Sequence, residues 1–461
     1  MNTTPAVGVS AGRIGGRVAS MPWSWSPALR SALLATFVAT CLIGSLGTWL
    51  FVGAGPVSAA PNSLGLRATY DVDASINWSQ GAMNVSSIAH VTNTTSGPVS
   101  KLTFNLLPLR LSKVTELAAS AGGQQVTPNV TDQSLIITLP GTIAPNEEIN
   151  VRIDYRAIFN SNTGGKRSLL MKKNGIAAAY RWIPWLSRQQ QFNTPNFGES
   201  WVTAVSPRVT VRFTSDVALK YATSGKKTGG SGQAQTFVAT DVRDFNFSAS
   251  PDYSVKKVSW GGISINVFYK TYDPDKLLTW TISAFERFTD KVGAYPHDQF
   301  TVAETPAGVG MESPGLVWID STLAQSRFAY IVVHEVSHQW FYSTVGNNQA
   351  TEPFVDEALG DFLTRDLLGS FRNSDCAEAR LDRSVYNYTG RCYNEVIYVQ
   401  GGLYLRDYKA EVGDNSFWAG INDFYRERKF GIASIRSLLD HLDAASGFNS
   451  QRHEDRFPSL Y

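Results

Sequence analysis

The chain has 461 residues, of which 43% are hydrophobic and 17% charged, and this composition excludes a mainly disordered or collagen-like protein. Lys and Arg total 41, Asp and Glu total 39, and the formal net charge is +2. So small a basic excess argues against binding to nucleic acid, and 3 Cys are too few for a disulfide-rich scaffold. At about 150 residues per domain, the length suggests two or three domains.

The first predicted element is an apolar segment, residues 31–53, which contains no charged residue. As a helix, Ala32–Val52 would span about 30 Å, the thickness of a bilayer core. Residues 1–30 carry three arginines and no acid, so the positive-inside rule predicts a cytoplasmic N-terminus, a transmembrane signal-anchor and an extracytoplasmic body. The alternative is a signal peptide cleaved near residues 58–60, which would give a secreted protein.

The next part of the sequence has the pattern of β strands. After a linker at 54–66, short runs such as 135–139 and 209–215 alternate apolar and polar residues, and turn clusters such as 224–232 separate them. This pattern predicts an all-β domain at 67–255, a sandwich or a saddle-shaped sheet.

From about residue 256 the periodicity changes, because strand-like runs at 263–269 and 300–305 are followed by helical patterns. The predicted helices are 274–292, 326–343, 355–368, 394–412, 415–428 and 433–445. Strands followed by several helices indicate an α+β catalytic domain at 256–445, with a C-terminal tail at 446–461.

The sequence IVVHEVSHQWF lies within one of these predicted helices. It places His334 and His338 four residues apart, so both imidazoles project from one helix face and can reach one metal ion. Glu335 follows the first histidine and lies where it could take a proton from the attacking water. This H-E-x-x-H pattern predicts a site for one Zn²⁺ per chain.

A catalytic zinc needs a third protein ligand. The candidate is Glu357, which follows His338 after 18 intervening residues, whereas a third histidine is excluded because none lies between His338 and His441. Asp361 is four residues beyond Glu357 on the same predicted helix face. It could therefore accept a hydrogen bond from the outer nitrogen of a ligand histidine.

Two cysteines, Cys376 and Cys392, lie in the predicted exported part of the chain. In an oxidising compartment they can form a disulfide. The alternative is a pair of free buried thiols.

These motifs resemble the aminopeptidase N family of gluzincins, which have H-E-x-x-H, 18 residues and then Glu. A second segment, GVGMESPG at 308–315, is similar to the family's Gly-x-Met-Glu-Asn segment, an edge strand along the substrate cleft. The resemblance implies that Glu312 binds the substrate's free α-amine. It also implies that Gly308, Gly310 and Met311 line the cleft. The family's Asn is Ser313 here.

A third segment, IYVQGG at 397–402, resembles the family's Tyr-x-x-Gly segment. The resemblance implies that Tyr398 stabilises the oxyanion, with Tyr393 as the competing candidate. The family resemblance covers most of 67–445. It implies a thermolysin-like catalytic domain, without the helical domain that usually follows in the family.

Together these observations predict a zinc metallopeptidase outside the cytoplasm, most simply an aminopeptidase that removes N-terminal residues from peptides. The predicted partners are peptide substrates and, through the N-terminal segment, the membrane, with no nucleic acid. Two alternatives remain open at this point: an endopeptidase with an open cleft, and a non-catalytic ectodomain that binds peptides. The oligomeric state is not predicted.

Overall fold

The computed structural model describes residues 62–162, 164–188, 202–308, 310–447 and 451–461. The predicted signal-anchor at 31–53, with residues 1–30 before it and most of the 54–66 linker after it, lies outside these residues. Among the helices that are described, none is both long and apolar enough to cross a membrane.

The first part of the described chain is built mainly of strands. They are β1 Arg67–Asn77, β2 Ala82–Thr92, β3 Val99–Asn105, β4 Val114–Ala121, β5 Gln124–Val126, β6 Asn129–Thr131, β7 Ser134–Ile143, β8 Glu148–Ile158, β9 Leu170–Lys173, β10 Ile176–Ala179, β11 Trp185–Leu186, β12 Val209–Ser215, β13 Lys220–Thr223, β14 Lys226–Ser231, β15 Ala234–Ala239 and β16 Phe247–Ser250, with a short helix α1 at Pro108–Leu111 and a 3₁₀ turn at Gly165–Leu169.

These strands form one large and two small sheets. The eight-stranded sheet has the order β14-β15-β12-β1-β2-β8-β4-β5, and the four-stranded sheets have the orders β13-β16-β10-β9 and β11-β3-β7-β6. Alternate residues of β1, such as Tyr70, Val72 and Ala74, are buried, as the period-2 pattern of a half-buried strand requires. One apolar core joins Val72, Phe104 and Phe247 from the three sheets. The predicted β-rich N-terminal region is confirmed.

The second part of the described chain combines a sheet with helices. Its elements are β17 Ser254–Trp260, β18 Ile263–Tyr269, α2 Pro274–Lys291, β19 Gln299–Thr305, β20 Met311–Ser313, β21 Leu316–Asp320, α3 Gln325–Ser337, β22 Gly346–Asn347, α4 Leu359–Leu368, α5 Gly401–Val412, α6 Asp414–Arg428, β23 Ile432–Ala433, α7 Ile435–Ser446 and α8 Gln451–Arg456. The five-stranded sheet has the order β17-β18-β19-β21-β20, so β20 is an edge strand. The predicted α+β class is confirmed.

Two helices begin with a wide, π-helical turn. The first turn, Phe354–Ala358, leads into α4, and the second, Asn394–Gln400, leads into α5; a 3₁₀ turn, Val385–Asn387, precedes the second. The π turns pack against each other so closely that a Cβ on Gly401 would lie 2.5 Å from Cβ of Ala358. Such turns insert an extra residue and often occur at functional sites.

Helix α3 is shorter than predicted. A helix over 326–343 is expected from the sequence, but α3 ends at Ser337 and the chain then folds back, with the amide of Ser343 donating to the carbonyl of His338 at 2.9 Å. This reversal places Tyr342 at φ 120°, an uncommon conformation for a bulky residue. The apolar residues after His338 gave no indication in the sequence that the chain reverses there.

The predicted tail at 446–461 packs against the catalytic half. Its helix α8 carries His453, and both His453 and Phe457 are fully buried. Phe457 belongs to the same apolar core as the residues of α3 and α4.

A buried arginine joins the two halves. Arg243, in the loop before β16, donates through Nε to the carbonyl of Ser343 at 3.0 Å and through Nη2 to that of Gly431 at 3.0 Å. A Cβ on Gly346 would lie 2.2 Å from Nη1 of Arg243. This contact fixes the chain reversal after α3 against the β-rich half.

Candidate metal centre and substrate cleft

The two histidines of H-E-x-x-H lie at the end of α3 with their rings facing each other. Nε2 of His334 and Nε2 of His338 are 3.2 Å apart, and both side chains are buried. Nδ1 of His338 lies 3.1 Å from the carbonyl oxygen of Phe341. That oxygen can only accept a hydrogen bond, so Nδ1 carries a proton, and in the neutral ring Nε2 of His338 presents the lone pair that a metal ion would need.

Glu357 reaches the same point from the first π-helical turn. Its Oε2 lies 3.3 Å from Nε2 of His334 and 3.5 Å from Nε2 of His338. Burial would raise the pKa of Glu357, but the two histidines lower it below its usual value. In turn, Glu357 holds the pKa of His338 well above its ordinary value although burial would lower it. The three groups therefore favour positive charge at their centre.

The geometry fits a zinc ion. Tetrahedral zinc with ligands at about 2.0–2.1 Å has ligand atoms roughly 3.3–3.4 Å apart. The three observed separations, from 3.2 to 3.5 Å, agree with this spacing. Imidazole nitrogen and carboxylate oxygen are also ligand types that zinc accepts. His334, His338 and Glu357 would thus hold the ion.

Glu335 lies beside this centre, and its position depends on a glycine. The side chain is 5% exposed, and a Cβ on Gly310 would lie 2.2 Å from its Oε1. The family resemblance implies that Gly310 lines the substrate cleft, where glycine would let the peptide backbone approach closely. The structure shows a second reason for glycine there, because the loop before β20 packs directly on the carboxylate of Glu335.

Glu312 lies on the edge strand β20 and faces the same centre. Ligand atoms of Glu312, Glu335 and His338 all lie within 4.8 Å of one another. The carboxylate Oε1 of Glu312 accepts a hydrogen bond from Nε2 of Gln349 at 3.2 Å. Met311 is buried beside it on β20, whereas Gly308 is exposed and has φ 77°. The structure therefore brings Glu312 to the candidate metal centre.

Tyr398 reaches the centre from the second π-helical turn. Its ring lies 5.5 Å from that of His334. Burial raises the pKa of Tyr398 well above its ordinary value, and the neighbouring carboxylate of Glu357 adds to the rise. The hydroxyl therefore stays protonated and can donate a hydrogen bond. Tyr393, the competing candidate, packs edge-on against Tyr398 at 5.9 Å.

The predicted hydrogen bond from a ligand histidine to Asp361 is wrong. Asp361 accepts hydrogen bonds from Oη of Tyr330 and from Nε of Arg365, the latter at 2.6 Å. Nδ1 of His334 has no hydrogen-bond partner within the described structure. Instead, Tyr330 stacks on the ring of His334 with centroids 5.6 Å apart. Tyr330 therefore contacts both Asp361 and the ring of His334.

The structure joins Cys376 and Cys392 by a disulfide. The bridge closes the loop that precedes the second π-helical turn. Gln400, at the end of that turn, donates to the carbonyl of Cys376 at 2.8 Å. The disulfide therefore anchors the segment that carries Tyr398.

Sequence reasoning missed three residues that shape the site. The side chain of Gln339 makes two hydrogen bonds to the backbone at the end of the edge strand. Its Nε2 donates to the carbonyl of Ser313 at 3.0 Å, and its Oε1 accepts from the amide of Gly315 at 2.9 Å. Gly360 lies under both imidazoles, where a Cβ would be 3.4 Å from each ring. Gln349 contacts Glu312. Gln339 adjoins the motif, but no local pattern marks Gln349.

Comparison with known proteins finds similar sequences but no matching protein-family model. Aminopeptidase N from Streptomyces lividans is 24% identical over 217 residues, which are 38% of this chain and 25% of that protein. The mitochondrial aminopeptidase 2 from Saccharomyces cerevisiae is 25% identical over 301 residues, which are 56% of this chain and 31% of that protein. The chain thus spans about a quarter to a third of these curated relatives.

Solved structures match over more of the chain. The M1 zinc metallopeptidase from Deinococcus radiodurans has a TM-score of 0.64 at 19% identity, covering 83% of this chain and 91% of that one. A mutant of that enzyme bound to a Tyr-Ser-Ala substrate has a TM-score of 0.62 at 18% identity, covering 83% and 92%. The sequence is thus aminopeptidase N-like, and its fold is that of the M1 zinc metallopeptidases.

Proposed function

We propose that the protein is a zinc-dependent aminopeptidase. The main support for this proposal is that Glu312 lies close to the candidate metal centre. One carboxylate oxygen of Glu312 lies within 4.8 Å of a ligand atom of Glu335 and of His338. A carboxylate so placed would pair with the ammonium of a peptide N-terminus and hold the first peptide bond at the centre. A substrate without a free amine would offer that carboxylate no cation, so the site favours exopeptidase action.

Each residue of the site would have a separate role in the reaction. A zinc ion held by His334, His338 and Glu357 would supply Lewis-acid polarisation of the carbonyl and a lower pKa for water. Glu335 takes the proton of the attacking water and delivers it to the leaving amine. Tyr398 donates a hydrogen bond to the charge that develops on the carbonyl oxygen.

The names of similar proteins support this proposal. Relatives from Streptomyces lividans and Saccharomyces cerevisiae are named aminopeptidases. Two of the solved structures with this fold are of M1 zinc metallopeptidase mutants, one bound to a Tyr-Ser-Ala substrate and one bound to L-tryptophan. A peptide with a free amino end is the substrate class that the Glu312 carboxylate would anchor.

The test compares a peptide with its N-acetylated form. Zinc-loaded full-length protein is incubated with both, and the products are identified by mass spectrometry. Stepwise loss of N-terminal residues from the free peptide alone is the expected result. Internal cleavage of both peptides would refute the aminopeptidase proposal and favour an open-cleft endopeptidase.

We also propose that the catalytic part lies outside the cytoplasm on a membrane anchor at Ala32–Val52. The absence of charge in residues 31–53 and the disulfide between Cys376 and Cys392 support this. Intact-mass measurement of protein extracted from membranes tests it. Mature protein that begins near residue 60 would replace the anchor by a cleaved signal peptide.

A further inference from the structure

One buried amide side chain links Glu312 to the β-rich half of the protein. Gln349 is 5% exposed and lies between α3 and the first π-helical turn. Its Nε2 donates to Oε1 of Glu312 at 3.2 Å and to Oδ2 of Asp356 at 3.0 Å. Its Oε1 accepts from Nη2 of Arg181 at 2.8 Å. Both ends of the amide are therefore used.

These partners determine which way the amide points. The guanidinium of Arg181 can only donate hydrogen bonds, so the carbonyl oxygen of Gln349 must face it. The NH₂ group must then face the carboxylates of Glu312 and Asp356, which accept. A flipped amide would meet a donor at one end and two acceptors at the other. The network thus has one arrangement, with a donor held against Glu312.

Arg181 is itself held firmly. It is 2% exposed, and its Nε lies 3.5 Å from Oδ2 of Asp244. Its backbone amide donates to Oδ1 of Asn246 at 2.6 Å, while Nδ2 of Asn246 donates to Oγ of Ser313 at 2.7 Å. The β-rich half therefore contacts the edge strand at Ser313 and, through Gln349, at Glu312.

We propose that Gln349 is a positioning residue that gives the site its selectivity for peptides with a free α-amine. This inference rests on the proposed aminopeptidase function. A glutamate side chain has several rotatable bonds, and an ion pair that sets the peptide register needs a fixed carboxylate. The hydrogen bond from Gln349 restricts that freedom, and Arg181 fixes the orientation of the Gln349 amide.

Binding measurements in a variant without its general base separate positioning from turnover. Zinc-loaded full-length Glu335→Gln protein is titrated by calorimetry with leucylglycine amide and with its N-acetyl derivative. Adding Gln349→Met should weaken binding of the free-amine peptide by about tenfold or more, the scale of a hydrogen bond to a charged group. Binding of the acetylated peptide should not change.

A double-mutant cycle tests whether Gln349 acts through Glu312. With Glu312→Ala already present, Gln349→Met should change the affinity by less than about twofold, since the group that it positions is gone. The matched control is Gln235→Met. Gln235 is also buried, at 7% exposure, and its amide donates to backbone oxygens of Leu219 and Gly232. Its loss should reduce thermal stability without changing either affinity.

The outcomes are distinct. A free-amine preference that survives Gln349→Met, or an equal loss with and without Glu312→Ala, would overturn this inference and leave the aminopeptidase proposal standing. Equal affinity of the Glu335→Gln protein for both peptides would overturn the aminopeptidase proposal together with the inference.

Discussion

Replacing Gly310 with alanine should displace Glu335, the proposed general base, without touching a proposed metal ligand. The new Cβ would lie 2.2 Å from Oε1, 2.6 Å from Cδ and 2.9 Å from Cγ of Glu335. Because Gly310 does not have a positive φ, alanine adds no backbone strain, so the clash is the main effect. Glu335 must therefore retreat by roughly 1 Å to reach ordinary contact distance, a misplacement that costs about a hundredfold in rate.

The assay is kcat/KM on an aminoacyl fluorogenic amide, with zinc content and melting temperature measured on the same samples. Gly310→Ala should bind zinc normally and lose about two orders of magnitude in kcat/KM. Gly141→Ala is the control, because a Cβ there would meet nothing within 4 Å. Wild-type activity in zinc-loaded Gly310→Ala would refute the placement of Glu335 as the general base.

Three further predictions concern the oxyanion donor, a buried histidine and the disulfide. Tyr398→Phe should lower kcat by about 10²–10³-fold with little change in KM, the usual loss of one oxyanion donor. Burial lowers the pKa of His297 from 6.5 to about 4, so the unfolded chain takes up the proton first as the pH falls. His297 should therefore lower the free energy of unfolding by up to about 3 kcal/mol between about pH 6.5 and pH 4, and the drop in His297→Phe should be smaller by that amount. Joint replacement of Cys376 and Cys392 by alanine should lower the free energy of unfolding by roughly 3 kcal/mol.

Each of these three predictions would be contradicted by a specific result. A Tyr398→Phe enzyme with wild-type kcat would move the oxyanion role to Tyr393. Parallel pH–stability curves for wild type and His297→Phe, measured by urea unfolding, would show that His297 takes up its proton equally in both states. Unchanged stability after loss of both cysteines would contradict the chain-entropy account, in which the bridge acts by restricting the unfolded chain.

The parts of the site that follow from local periodicity could be predicted from the sequence. His334 and His338 are four residues apart on a helix, so their convergence follows from 3.6 residues per turn. The edge position of Glu312 followed from a family resemblance. The π-helical turn that presents Glu357 was not predictable from local periodicity, and it packs closely against Gly401, which is distant in sequence.

The misassigned and missed contacts have a common physical cause. Asp361 was assigned to a histidine by helical spacing alone, but it binds Tyr330, 31 residues away, as well as its helix neighbour Arg365, so the contact that joins it to the site is the distant one. The contact of Gln349 with Arg181 joins residues 168 apart in the chain. Hydrogen bonds between distant segments depend on the packed fold, and no pattern of neighbouring residues encodes them.

The central claim is that this chain hydrolyses the first peptide bond of a free-amine substrate with Glu335 as the base. The most direct measurement is fluorophore release from a panel of aminoacyl amides by zinc-loaded wild-type and Glu335→Gln proteins. Release by the wild type alone, with zinc bound equally to both, is the predicted result. Equal release by both proteins, or silence from a wild type that holds its zinc, would contradict the account.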